Sequence, residues 1–351
     1  MFAVMPRTPR PRRPVPPSPP GAVPAGAPAH YASAYHAPVM VREVAEWLIS
    51  DPDGAYVDGT LGGGGHSAAL LDALRGGARV IGIDRDEEAI NEASRRLSVD
   101  SRFRAIRGAF GDMDRLLAGA GAVDGVLLDL GISSHQVDES ARGFAFSAEG
   151  PLDMRMDRDA PASAAGIVNE TAPGELASLL FAFGEEPRAR GIARAIAAAR
   201  PLETTVELAE VVRRSVPGRE EKKSLARVFQ ALRIAVNDEL GELERALRAA
   251  TRLVRPGGRL AVLSYHSLED RRAKRFLRAG DLSGTVPRDG FGRPVSPWRP
   301  LVRHSIEASP EEVAANPRAR SARLRVAERT EHPISPDPRD GGQRGGAGPD
   351  R

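Results

Sequence analysis

The densest chemical signal in this sequence is the run Asp58-Gly59-Thr60-Leu61-Gly62-Gly63-Gly64-Gly65-His66. Glycines at a turn let the backbone approach a ligand closely and adopt conformations that a Cβ forbids. They also bring the first N–H groups of a following helix up to a carboxylate or phosphate. Further along, Asp84 closes the apolar run Ala78–Asp84, where an acid can accept both hydroxyls of a ribose. NAD and S-adenosylmethionine would both suit these groups, and a tight structural turn would explain the glycines alone. Two details favour S-adenosylmethionine. The glycines miss the G-x-G-x-x-G register, because His66 stands where the closing small residue belongs. The opening acid, Asp58, suits the ammonium of a methionine better than a pyrophosphate.

A second polar cluster, Asp129-Leu130-Gly131-Ile132-Ser133-Ser134-His135-Gln136, ends the apolar run Val123–Leu130. Arg142–Phe146 and Pro151–Asp157 follow it. Ligands of doubly wound sheets bind at the carboxyl ends of strands, so this is where chemistry is expected. An Asp–Arg pair in such a loop more often holds the loop in shape.

The elements that must position these groups alternate. Ala55–Asp58, Ala78–Asp84, Phe103–Arg107 and Val123–Leu130 read as strands, with helices from about His66 to Arg75 and from Asp86 to Leu97. That order predicts an α/β, doubly wound parallel sheet. From Val137 to Thr251 the rhythm breaks. No strand is evident there, and Leu225, Phe229, Leu232, Val236, Leu240, Leu243 and Leu247 mark one long helical face. Strands resume at Gly258–Ser264, and Ser321–Arg329 reads as a last one, suited to an edge. The expected organisation is an α/β domain formed by 35–137 and 251–330, interrupted by an all-helical insertion at 138–250. Residues 1–34, with ten prolines, and 331–351, rich in glycine and proline, read as disordered extensions.

Composition narrows the classes. With no cysteine, disulfides and cysteine-ligated metal sites are excluded, which fits a reducing compartment and a cytoplasmic location. No apolar run approaches the roughly 20 residues of a membrane helix, and the N-terminus lacks the apolar core of a secretory signal. Net charge is only +3, but it is unevenly spread. The stretch 271–330 carries 14 basic and six acidic residues and could follow a phosphate backbone. Only three of the 50 basic residues are lysine, the arginine-rich bias that a GC-rich genome produces unaided.

From about Tyr35 to Thr330 the sequence resembles the RsmH (MraW) family, bacterial methyltransferases acting on a cytidine of small-subunit (16S) ribosomal RNA. The blocks that carry the resemblance are His36–Val39, Asp58–His66, Gly82–Asp86, Asp129–Ser134, Pro151–Asp157, Gly184–Glu186, Phe229–Leu240, His266–Arg271 and Asn316–Ser321. Two positions depart from the family pattern, Ser224–Arg227 before Phe229 and Tyr265 before His266. The resemblance implies a class I S-adenosylmethionine-dependent methyltransferase fold with an inserted helical domain. It implies cofactor contacts from Gly64, Gly65, His66, Asp84, Phe110, Asp129 and Gln136; no metal ligand is assigned. Phe110 would cover adenine; without the family it reads as a core residue.

The expected partner is 16S rRNA, within the small ribosomal subunit and with no membrane, and a homodimer stays open. A cytosine amine is a poor nucleophile, so the site must align it with the methyl donor and offer an acceptor for its proton. Asp129 and Ser133 are the candidates to hold substrate or methionine there, with Asp153 and His266 as alternatives. His266 could equally orient a loop, and Glu269 and Asp270 could pair with Arg271, Arg272 or Lys274. Three other readings remain open: a methyltransferase for small molecules or proteins, a catalytically silent RNA-binding protein, and an NAD-dependent oxidoreductase.

Overall fold

The computed structural model describes residues 31–32 and 38–333. Almost all of the two extensions, together with His36, lies outside the described residues. The elements run α1 (Val41–Leu48), β1 (Ala55–Asp58), α2 (Gly65–Ala73), β2 (Arg79–Asp84), α3 (Glu87–Leu97), β3 (Phe103–Arg107), α4 (Met113–Leu116) and β4 (Val123–Asp129). Then come α5 (Ser134–Asp138), α6 (Ala164–Glu170), α7 (Pro173–Gly184), α8 (Ala189–Ala199), α9 (Thr205–Ser215), α10 (Glu221–Asn237) and α11 (Glu239–Leu253). The chain closes with β5 (Val254–Ser264), α12 (Ser267–Ala279), β6 (Trp298–Pro300), β7 (Ile306–Glu307), α13 (Pro310–Ala315) and β8 (Arg323–Arg329).

The strands form one sheet in the order β3-β2-β1-β4-β5-β8-β6, with β7 paired to β8. Neighbours from β3 to β5 are parallel, which makes the doubly wound half of the fold that the alternating pattern predicts. β4 is buried from Val123 to Leu128, the continuous apolar run of a strand covered on both faces. β8 does not lie at the edge. It pairs antiparallel with β5 on one side and with β6 and β7 on the other. Its partial alternation reflects pairing at the far side of the sheet, where Leu324, Val326 and Ala327 turn into the core.

One face of the sheet packs Val44, Leu48 and Leu70 from α1 and α2. The other packs Leu243, Ala246, Leu247 and Phe276 from α11 and α12. A third cluster stands apart from the sheet and is built between Phe144 and Leu232, with Leu180, Ile196, Leu208, Val228 and Phe229 among its members.

The single long helix expected across Leu225–Leu247 is two helices. Asp238 takes a left-handed conformation, φ 46°, ending α10 and starting α11. The apolar face runs on unbroken, but its partner changes: Leu225, Phe229 and Leu232 serve the helical cluster, whereas Leu243 and Leu247 serve the sheet. Most of α11, which the sequence reading gave to the insertion 138–250, therefore covers the sheet. No helix among the described residues is long and apolar enough to cross a membrane.

Candidate active site

A cavity of about 400 Å³ opens at the carboxyl ends of β1, β2, β4 and β5. Chain order reverses there, between β1 and β4, which is where open α/β sheets take their ligands. Gly59, Thr60, Gly62, Asp84, Phe110, Asp129, Ser133 and Gln136 line it. Gln230, Arg233, Tyr265, His266, Asn316 and Arg318 line it as well.

Asp84, the last residue of β2, is held by backbone N–H groups. Gly62 donates to Oδ2 at 2.8 Å and Asp86 to Oδ1 at 2.9 Å. Burial pushes its pKa up to about 6, against the pull of these two donors. Phe110 opens the short helical turn after β3, and the Arg85 guanidinium lies 5.9 Å over its ring.

Asp129, the last residue of β4, is held from several sides. Its backbone N–H donates to Thr60 Oγ1 at 2.6 Å. Tyr265 donates its hydroxyl to Oδ1 at 2.9 Å, and His66 Nε2 lies 3.3 Å from Oδ2. Burial lowers the His66 pKa, but Asp129, Asp58 and Glu312 together outweigh it and hold the imidazole above its usual value. Burial, then Asp129, raise the Tyr265 phenol well above the ordinary range, so it remains a donor.

Arg233, also on the cavity wall, grips Glu239 through two bonds of 2.7 and 2.9 Å. His266 starts α12 and pairs with Glu269 at 3.2 Å. Donor atoms of Glu239, His266 and Glu269 lie within 4.8 Å of one another, close enough for a cation. Arg233 already brings positive charge to both Glu239 oxygens.

The profile described as the MraW methylase family matches residues 33–330. The chain belongs to the MraW methylase family. It is 47% identical over 318 residues to the ribosomal RNA small subunit methyltransferase H of Chlorobium luteolum, covering 85% of this chain and 97% of that protein. The protein of the same name from Paramagnetospirillum magneticum is 50% identical over 311 residues, covering 85% and 96%. Among solved structures, an rRNA methylase from Streptococcus thermophilus covers 82% of this chain and 92% of its own, at 12% identity and a TM-score of 0.37, too distant to carry an argument.

Against this MraW-family frame the site residues expected from sequence divide into two sets. Asp84, Phe110, Asp129, Ser133 and Gln136 are on the cavity wall. Gly64, Gly65 and His66 are not; the loop meets the cavity earlier, through Gly59, Thr60 and Gly62. Gly64 has φ 76° at the start of α2, and a Cβ there would sit 2.9 Å from Leu97 of α3. A Cβ on Gly65 would meet Pro38 at 2.7 Å. These two glycines thus pack α2 tightly behind the wall, and His66 acts from there on Asp129. Asp58 also departs from expectation. It is fully buried, takes the Ser67 hydroxyl at 2.8 Å, and stands behind the residues that line the cavity.

Ser133 and Gln136 are committed to the loop. They form a reciprocal cap at the start of α5, each side chain accepting the other's N–H at 3.1 Å. Gln136 Nε2 also donates to Asp86 at 2.9 Å, and Arg142 reaches the same carboxylate oxygen. Asp153 lies off the wall, paired with Arg155. Asp270 binds Arg325, Arg271 binds Glu185 and Arg272 binds Glu244, in place of the local pairs expected on α12.

Thr60, Arg233 and Tyr265 are among the wall residues to which sequence reasoning gave no role. Arg233 sits in the Phe229–Leu240 block, and Tyr265 showed only as a departure from the family pattern. Their convergence with Asp129 is a tertiary fact that spacing along the chain does not carry.

Proposed function

We propose that this chain transfers the methyl group of S-adenosylmethionine to the exocyclic N4 of a cytidine in the decoding region of 16S ribosomal RNA, within the small ribosomal subunit in the cytoplasm. The observation that carries the reading is the placement of two strand-terminal carboxylates, Asp84 and Asp129, on one cavity that Arg233, His266 and Arg318 also line.

The residues fit the cofactor. Among the described residues the Asp84 carboxylate takes two backbone N–H groups, one to each oxygen, which leaves each oxygen able to accept a ribose hydroxyl. Phe110 offers an apolar ring for adenine. A pyrophosphate suits this site poorly, since Asp84 and Asp129 face the cavity and Asp58 lies just behind, while the start of α2 is packed on Pro38. That charge pattern favours a sulfonium over NAD.

When bound, S-adenosylmethionine supplies an activated methyl group on its sulfonium. Asp129 accepts a hydrogen bond from the cytosine amine, which localises the nitrogen lone pair. With the methyl donor bound, that carboxylate would take up the proton that N4 gives up on methylation. Positioning supplies much of the acceleration. The target base must leave any stack to reach the cavity, and Arg233, His266 and Arg318 stand on the wall it would pass. The helical layer between α6 and α10, beside that wall, is the part we assign to gripping the surrounding RNA.

The test is transfer of radiolabelled methyl from S-adenosylmethionine to small subunits lacking the modification, beside naked rRNA, followed by nucleoside analysis. Label in N4-methylated cytidine is expected on the subunit. Label elsewhere, or none on either RNA with cofactor still bound, would overturn the substrate assignment.

A further inference from the structure

We propose that the loop 287–295 is a finger that grips unpaired RNA, with the Phe291 ring as the platform for a base and Arg288 and Arg293 beside it for phosphates. This deepens the RNA reading above and rests on it. From Leu282 to His304 the chain holds four arginines and one acid, Asp289. The loop folds back on itself. Asp289 N–H donates to Arg293 O at 2.9 Å, and Val295 N–H to Pro287 O at 2.8 Å. At the tip Asp289 Oδ1 accepts the N–H groups of Phe291 and Arg293, at 2.9 and 2.8 Å, and Gly292 turns the chain with φ 78°. The acid is thus committed to the turn, and the ring that the turn presents is 87% exposed. Among the described residues the exposed large apolar side chains are Val99, Phe181, Val206 and Phe291. Of these, Phe291 is the one with a guanidinium over it, Arg293 Cζ lying 5.7 Å from the ring centroid.

A ring so exposed contributes little apolar burial to the fold, whereas any base can stack on it, because every base has a π-face. Arg288 bonds the Gly292 carbonyl, and neither it nor Arg293 is paired with a carboxylate among the described residues. Both can meet phosphate without breaking an ion pair. The finger stands on a firm base. Trp298 is buried and donates Nε1–H to Thr251 Oγ1 at 2.8 Å, and Gly280, φ 84°, leaves no room for a Cβ beside Pro297. The path back to the cavity is also basic. α12 begins beside His266 on the cavity wall, and its 13 residues carry the chain about 20 Å away before the finger starts. β6 and β7 then return along β8, where Ile306 stands opposite Leu324, the partner of Leu263 near the cavity end of β5. Arg303 is exposed on that return and Arg320 beyond it, next to Arg318 of the cavity wall. A single strand held on the finger thus meets guanidinium groups on its way to the site.

The probe is a fluorescein-labelled, unstructured oligouridine, its binding to the full chain followed by anisotropy across a salt series, beside a duplex RNA of equal length. Phe291→Ala should bind the single strand about tenfold more weakly with the salt slope unchanged, and the duplex as wild type does. Phe291→Trp should keep single-strand affinity within about twofold, and the indole fluorescence it adds should be quenched on binding. Arg288→Gln with Arg293→Gln should lower the magnitude of the slope of log K on log salt by about 1.4. All three side chains are exposed, so Tm should stay at the wild-type value in each variant. Equal single-strand affinity for wild type and Phe291→Ala, or an equal loss on single strand and duplex, would overturn the stacking platform. An unchanged slope in the double arginine variant would overturn the phosphate contacts. A wild-type dimer that Phe291→Ala dissociates would show that the finger meets protein, and would overturn the proposal as well. Methyl transfer to small subunits keeps the two readings apart. Methylated cytidine from a chain whose oligouridine binding ignores Phe291 removes the finger alone. Oligouridine binding through Phe291 in a chain that methylates no RNA removes the substrate assignment and leaves the finger.

Discussion

At the residue scale the sharpest consequence concerns Asp84. Its pKa is raised to about 6 in the folded chain, above the ordinary carboxylate value, chiefly by burial. A raised carboxylate pKa means the protonated form is favoured on folding, so the free chain gains stability as pH falls from about 6 toward 4. Cofactor binding runs the opposite way, because ribose hydroxyls need an ionised acceptor. Affinity for S-adenosylmethionine should therefore be flat above pH 7 and weaken toward tenfold per unit below about pH 6, with net proton release on binding near pH 6. Calorimetry between pH 5 and 7.5 measures this, using Asp84→Asn as reference. The variant should bind at least tenfold more weakly and lose the acid slope. Parallel slopes for both proteins would show that another group governs the titration. Asp84 and Asp129 were legible in the sequence because each ends an apolar strand beside a turn. The glycine run carries a second message: at Gly64 and Gly65 a Cβ would meet Leu97 and Pro38, so helix packing alone already asks for glycine there.

At the element scale the sheet order up to β5 followed from alternation of strand and helix, whereas the seam between the two layers did not. Hydrophobic spacing is continuous across Asp238, and spacing alone cannot show that one stretch packs on helices and the next on a sheet. The structure ties that seam with Asn237, a buried side chain. Its Nδ2 donates to Met154 O and Arg233 O at 2.8 and 2.9 Å, and its Oδ1 accepts Met156 N–H at 2.8 Å. The Pro151–Asp157 loop is thereby bound to the end of α10, beside the cavity wall that includes Met156 and Arg233. Asn237→Ala would leave buried loop groups unpaired, at a cost of about 2–4 kcal/mol. Thermal unfolding should show a Tm lower by several degrees. Asn237→Asp would set a second acceptor oxygen against the Met154 and Arg233 carbonyls, and should be destabilised at least as much as the alanine variant. An unchanged Tm in Asn237→Ala would mean that the two layers are held by apolar packing alone.

At the scale of the whole molecule, charge that nearly cancels in the sum is arranged where a polyanion would arrive. The described body contributes Arg233 and Arg318 to the cavity wall, and Arg320 is exposed next to it in sequence. Arg318 pairs with Asp138 at 2.9 Å, and both side chains are about half exposed. Exposed pairs of this kind are worth about 0–1 kcal/mol, so a phosphate could take the arginine from Asp138 at little cost. Two such contacts would release counterions on binding, and the dependence of log K on log salt would steepen by about 0.7–0.9 for each. Charge reversal at Arg318 and Arg320 together should weaken binding to the small subunit and reduce the magnitude of that slope by about 1.4–1.8. The cofactor affinity of the same variant should stay near wild type, since Asp84, Phe110 and the glycine loop are untouched. Filter binding across 50 to 300 mM salt, with calorimetry for the cofactor, separates the outcomes. A weaker complex with an unchanged salt slope would show that the two arginines shape the Asn316–Ser321 turn rather than meet phosphate, and would move the RNA path toward the helical layer.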